Sequence, residues 1–322
     1  MHFSIYIFKY PPPFCQEMVK ITKTTLLLFS IVLLAFILRV IAASNVDIGP
    51  DEMVYSVIPY HIISAGRLGT VEQSPVYFYL TDLGYEVFGG ITALSTRFPS
   101  ILFGSLMCVV IFLLALELGG SSRSALLGSL LFALSGFALR NNVEMDMAAF
   151  FFGSLALLFF LQGLKELKEK RRNLYWATLF FTLAVMIKNL VLLFAPALLL
   201  ILLFQGWKDK NGLLYRQEGK IHADKGLWKT IFYCGLIFLI GLSPLIIYNY
   251  FTYTQKGITD YYVSNILGIG ETVHQGLQGK SWTLNTVFSV TQELLGKYFR
   301  ADVLLLLVGL AGIPLLFKKD RL

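Results

Sequence analysis

Residues 21–52 read ITKTTLLLFSIVLLAFILRVIAASNVDIGPDE. An apolar run from Ile21 to Ala43 is followed at once by a polar stretch carrying Asp47, Asp51 and Glu52. A bilayer core of about 30 Å takes about 20 mostly apolar residues per helix, because no water is present there to satisfy backbone groups. The run fits that length, and the acids after it do not belong in hydrocarbon. The chain therefore crosses a membrane here and emerges into a polar loop. Composition extends the reading to the whole chain, which is 56% apolar, 15% aromatic and only 15% charged, with a mean hydropathy of +0.67. Soluble domains carry about a quarter charged residues.

The same template recurs at 98–118, 125–139, 147–164, 174–187, 190–204, 230–250 and 303–317, which with 21–43 makes eight spans. The fold class this predicts is an all-α integral membrane protein, a polytopic helical bundle of about eight transmembrane helices. The connection KELKEKRRN at 165–173 holds five basic residues against two acidic, Trp207–Lys229 holds six against three, and KKDR follows the last span. Basic connections mark the cytoplasmic side. Both termini are then cytoplasmic, in the cell membrane if the source is a prokaryote. The net charge of +7 is accounted for by topology and calls for no nucleic acid.

Residues 1–20 read as a tail ahead of one transmembrane domain at 21–322, with a first outer loop at 44–97 and a last outer loop at 251–302. Met18 opens a more ordinary membrane-protein beginning, MVKITKTTLLLF, so the first 17 residues read as an upstream misreading of the start. Cys15, Cys108 and Cys234 show no paired or metal-ligand spacing, which argues against a disulfide framework and a zinc site. Within the first loop, DEMVYSVIPYHIISAG and SPVYFYLTDLGYEVFGG mix acids with aromatic and aliphatic residues at the length of short helices. Such stretches suit helices lying along the membrane interface, and Pro75 is well placed to start the second.

Asp51 and Glu52 open the first of these helices, where an acidic pair complements the helix dipole. Glu144 and Asp146 lie in the turn between spans three and four, so two loops bring carboxylates to one membrane face. Oxygen ligands of that kind suit Mg²⁺ or Mn²⁺, and one carboxylate can act as a general base toward a hydroxyl. Arg97, Arg140 and Lys188 gather on the same side. A charge in hydrocarbon is costly, so Lys188 in its apolar hairpin calls for a partner, for which a phosphate is suited; Arg97 and Lys188 can also snorkel to headgroups. His274 is a lone loop histidine, and Tyr77 and Tyr79 read either as lining a path for substrate or as aromatic-belt residues.

From Thr24 to Gln205 the pattern resembles the GT-C superfamily, in the branch holding protein O-mannosyltransferases that use dolichyl- or polyprenyl-phosphate mannose and the lipid A aminoarabinose transferases. The resemblance rests on GPDEMVYS after span one, SPVYFYL, the Arg-Phe-Pro-Ser step into span two, Arg140 with Asp146 before span four, and AVMIKNLVLLFAPAL. It implies a GT-C fold and an inverting transfer of sugar from a polyprenyl-phosphate carrier to a hydroxyl of a protein, lipid or glycan acceptor on the outer face. Asp51 matches the family's favoured base. Glu52 would shape the site, Asp146 and Glu144 would help hold a divalent cation, and Lys188, Arg97, Arg140 and His274 would meet the donor phosphate. Tyr77 and Tyr79 would line the sugar or lipid path. This chain departs from the pattern at Ser74, where relatives usually have His, and relatives usually continue to eleven or more spans. Two other readings compete: an inactive membrane partner of the same fold, and a transporter or lipid-carrier flippase. The latter would place its charges near mid-membrane, often in two repeated halves.

Overall fold

The computed structural model describes residues 22–45, 56, 76–140, 146–165, 171–209, 214–217, 220–223, 225–260, 263–264, 269 and 292. In order these form α1 (Lys23–Asn45), α2 (Val76–Phe88), α3 (Ala93–Glu117), α4 (Ser122–Ala133), α5 (Gly136–Arg140), α6 (Asp146–Lys165), α7 (Arg171–Ile187), a 3-10 helix (Asn189–Phe194) and α8 (Ala195–Asp209). They continue with β1 (Leu214–Gln217), β2 (Lys220–Ala223) and α9 (Lys225–Lys256). Among the described residues, Lys23–Asn45, Ala93–Glu117, Asp146–Lys165 and Gly226–Lys256 are long and apolar enough to cross a membrane. The protein is helical and integral to the membrane, apart from the antiparallel β1–β2 pair. The expected span at 303–317 lies outside the described residues.

In lipid, apolar burial does not drive one helix against another, so spans associate through close packing of small residues and buried hydrogen bonds. The bundle is built this way. The face that α1 buries is Ala35, Arg39 and Ala43, set against α3, which buries Ser100, Gly104, Ser105 and Cys108. Ser129 of α4 donates its hydroxyl to the Cys108 carbonyl at 2.8 Å. On the far side of α1, Leu26, Phe29, Ile37 and Ile41 are exposed, as lipid-facing side chains must be.

The hairpin of α2 and α3 positions much of the candidate site. Gly89 and Gly90 turn the chain with φ of 72° and 148°. Thr92 then caps α3: its hydroxyl accepts from Ser95 N at 3.1 Å, while Ser95 Oγ accepts from Thr92 N at 2.7 Å. Pro99, inside α3, has no N–H to give the Ser95 carbonyl four residues back. Gly84 of α2 faces that carbonyl so closely that a Cβ on it would overlap the oxygen. Two hydroxyl contacts close the hairpin, Tyr77 Oη to Ser100 Oγ at 3.0 Å and Tyr85 Oη to Thr96 Oγ1 at 3.2 Å. Gly84→Leu should therefore separate α2 from α3. The expected cost is about 1–3 kcal/mol or more, the range for forcing bulk into a packed core, measured as a lowered thermal midpoint of the purified protein.

Three expected spans take a different form. The span at 125–139 is broken at Leu134, and Ser135 starts α5 by accepting from Ala138 N at 3.0 Å. The span at 190–204 begins as a 3-10 turn and becomes α-helical at Ala195, with Pro196 in the first turn, where its missing N–H costs least. The span at 230–250 belongs to a longer helix, α9, whose Pro244 frees the Ile240 carbonyl; the Ser243 hydroxyl takes that carbonyl at 2.7 Å. In the basic connection before α9, Leu214–Ala223 forms the β1–β2 pair.

Candidate functional site

Helices α6 and α7 pack along one another, and their ends define two poles. At one, Lys165 Nζ lies 2.7 Å from the Glu117 carboxylate and donates to the Glu117 carbonyl at 2.6 Å. At the other, Asp146 opens α6 and Lys188 follows α7 in extended conformation, with φ −143° and ψ 107°. Lys188 and Asp146 form an ion pair, with side chains 25% and 42% exposed, so the pair is open enough for a ligand to reach. An acid at a helix N-terminus also meets the positive end of the dipole. The cation in the apolar hairpin thus has a carboxylate partner from another helix.

Beneath this pair lies an apolar floor of Tyr77, Phe78, Ala148, Ala149 and Ile187, all buried, with Val191 and Tyr248 packed against it. Helix α2 supplies two of these residues because its buried positions, Tyr77, Phe78, Thr81, Gly84 and Tyr85, follow the helical period. Tyr77 is wholly enclosed, whereas Tyr79 is half exposed, which fits the interfacial placement expected of this helix. Arg97 is fully buried and donates to the Ala43 carbonyl near the end of α1, where a cation completes the helix's last turn. Arg140 ends α5. Asp51, Glu52, Glu144 and His274 lie outside the described residues.

A cavity of about 310 Å³ opens between α6, α7, α8 and α9. Phe160, Leu174, Leu198, Ile231 and Phe238 line it, and Leu192 of the 3-10 helix brings it up toward Lys188. Its lining is hydrocarbon apart from Thr178 and Cys234.

Among the described residues no three His, Cys, Asp or Glu side chains group as metal ligands. The Asp146 carboxylate is held by an ammonium, whose charge repels a second cation. Glu144, the other expected ligand, lies outside the described residues.

Three features escaped the sequence reading. Arg39 sits within α1, fully enclosed; a charge inside an apolar span is itself a signal of function. Asp260, fully buried, accepts from Asn249 Nδ2 at 2.5 Å and returns its backbone N–H to Asn249 Oδ1 at 2.8 Å. This clamp ties the chain after α9 to the helix beside Tyr248. No sequence spacing announces it. The third is Asp82, whose Oδ1 is buried without a hydrogen-bond partner. Burial first, and then the neighbouring Glu86 charge, raise its pKa above the ordinary value. A raised acid pKa means the ionised form is penalised in the folded protein. The penalty is present above the folded pKa and relieved as pH falls toward the unperturbed value of about 3.9. Asp82→Asn should raise the thermal midpoint at neutral pH, with the gain shrinking on acidification, in paired melting curves of variant and wild type.

Comparison with known proteins supplies an independent line. The model of the dolichyl-phosphate-mannose-protein mannosyltransferase family matches residues 72–215, a stretch that includes Tyr77, Arg97, Asp146 and Lys188. An uncharacterised protein of Aquifex aeolicus (strain VF5) is 25% identical over 229 residues, covering 67% of this chain and 42% of the relative. The crystal structure of the Archaeoglobus fulgidus oligosaccharyltransferase in its apo form superposes with a TM-score of 0.54 at 15% identity, over 72% of this chain and 30% of that one. The chain thus spans less than half the length of these proteins. The resemblance to the GT-C superfamily drawn from the sequence is matched twice over, by the mannosyltransferase family model across residues 72–215 and by a fold shared with part of an archaeal oligosaccharyltransferase.

Proposed function

We propose that this chain is a GT-C membrane glycosyltransferase that moves a sugar from a polyprenyl-phosphate carrier to an acceptor hydroxyl, inverting the anomeric centre. The observation that carries the reading is the half-exposed Asp146–Lys188 pair at one pole of the bundle, together with an apolar cavity that runs from Leu192, four residues beyond Lys188, toward Phe160 and Leu174. A ligand with a phosphate head and a hydrocarbon tail matches both parts. The isoprene chain occupies the cavity, where each buried methylene contributes about 0.8 kcal/mol. The phosphate meets Lys188 at the membrane edge, with Arg97, Arg140 and His274 as further candidates for that role.

In the reaction the acceptor oxygen bonds to the anomeric carbon as the bond from that carbon to the phosphate oxygen breaks. The acceptor proton passes to Asp51, and the electron pair of the broken bond stays on the polyprenyl phosphate, whose growing charge Lys188 stabilises. Glu52 shapes the acceptor side, and Tyr79, half exposed on α2, lines the approach. The acid-bearing pole faces outward, opposite the basic connections.

The test offers the reconstituted protein a panel of radiolabelled polyprenyl-phosphate sugars with peptide, lipid and glycan acceptors. Label moving from carrier to acceptor is expected, and names donor and acceptor together. Label that stays on every carrier contradicts the proposal and favours an inactive partner of the same fold.

A further inference from the structure

Arg39 is the largest of the fully enclosed side chains, together with Arg97. It lies six residues before the end of α1, within the apolar span. A guanidinium presents five N–H donors and no acceptor, and those of Arg39 are used unevenly. Nη1 donates to the Ala35 carbonyl at 3.3 Å, and the Phe132 ring lies 5.2 Å from the guanidinium carbon, covering one face. Nε and Nη2, both buried, have no hydrogen-bond partner. These two nitrogens share one edge of the guanidinium plane, the edge that receives two oxygens of a carboxylate or phosphate side-on.

The Nε end of that edge packs against α3. A Cβ built on Gly104 would lie 2.5 Å from Arg39 Nε, and 3.1 Å from Met147 Cγ. The guanidinium therefore fits against α3 only because residue 104 has no side chain, and it borders the residue next to Asp146. A buried cation with two unpaired nitrogens is rare in native proteins, because an unpaired charge or donor away from water is strongly unfavourable. Among the described residues no carboxylate answers it.

We propose that the Nε–Nη2 edge of Arg39 is an oxyanion site inside the bundle that takes the phosphate of a lipid. Two phosphate oxygens along one guanidinium edge satisfy both orphaned nitrogens at once, which a single-acceptor group does not. A lipid source follows from depth: the edge lies within an apolar span, reached sideways from the bilayer more readily than from water. The phosphate belongs either to a phospholipid headgroup or to a polyprenyl carrier held apart from the Lys188 position, the latter an assignment that rests on the function proposed above. Because Arg39 is enclosed, binding requires the packing around it to loosen, so uptake and release are slow.

The test uses the purified full chain in detergent, with farnesyl phosphate, farnesol, dioleoyl phosphatidate and inorganic phosphate as probes. Binding is compared among wild type, Arg39→Lys, which keeps the charge without the edge, and Arg39→Gln. Affinity for farnesyl phosphate or phosphatidate should fall at least about tenfold in both variants, with farnesol binding unchanged, as expected when a bidentate charged contact is removed. Affinities equal to wild type in Arg39→Lys and Arg39→Gln overturn the site. Should neither variant fold, a diazirine-bearing farnesyl phosphate is photocrosslinked to wild type. Label on residues 35–43 or 104–108 is expected, and label confined elsewhere overturns the proposal. Binding of farnesyl phosphate without Arg39 dependence removes this site but leaves the transferase reading standing. Arg39-dependent binding of phosphatidate with no affinity for farnesyl phosphate does the reverse.

Discussion

Asp51→Asn is expected to lower sugar transfer by about 10²–10⁴-fold, the usual contribution of a positioned general base, while thermal midpoint and donor affinity stay near wild type. The amide keeps the size of the carboxylate and loses its ability to accept the acceptor's proton. Asp51 stands a few residues beyond α1, whose end is held by the Arg97 contact to the Ala43 carbonyl. The measurement is single-turnover transfer at saturating donor, which isolates the chemical step from binding. Unchanged turnover would remove Asp51 from the base role without touching the donor assignment.

Lys188→Met should lower transfer by about 10²–10³-fold, the loss typical of one preorganised electrostatic contact to a developing charge. It should also destabilise the protein, because Asp146 is left half-buried beside an apolar floor with no counter-charge. The two effects separate in a double variant. Asp146→Asn with Lys188→Met removes both charges, so stability should return toward wild type. Turnover should not return if the lysine meets the leaving phosphate. Recovery of both quantities would make the pair a structural brace and nothing more. The experiment is a double-mutant cycle on thermal midpoint and on transfer rate.

The spans were legible because hydrocarbon imposes a length and a polarity on every helix that crosses it. The helix at 76–88 was legible from its aromatic and acidic mixture, and its buried face follows the helical period. What sequence reasoning missed were the local departures: the break at Ser135, the 3-10 turn before Pro196 and the hairpin at 214–223. These depend on single side chains competing for backbone groups, an effect that hydropathy averages away. Asp146 and Lys188 were each singled out, yet their pairing joins positions 42 residues apart and needed the antiparallel packing of α6 and α7 to appear. Arg39 is the opposite case: its chemistry stood in the first apolar run, but a single interior charge does not alter the reading of a span. Its significance came only from the two nitrogens that the fold leaves unpaired.

The most direct measurement of the central claim follows the lipid rather than the sugar. Reconstituted protein is incubated with a polyprenyl-phosphate sugar and an acceptor, and the carrier is recovered and weighed by mass spectrometry, with Asp51→Asn run alongside. Wild type is expected to give free polyprenyl monophosphate in step with glycosylated acceptor, and the variant intact donor. Intact donor from both, across the donor panel and in well-folded samples, would contradict it.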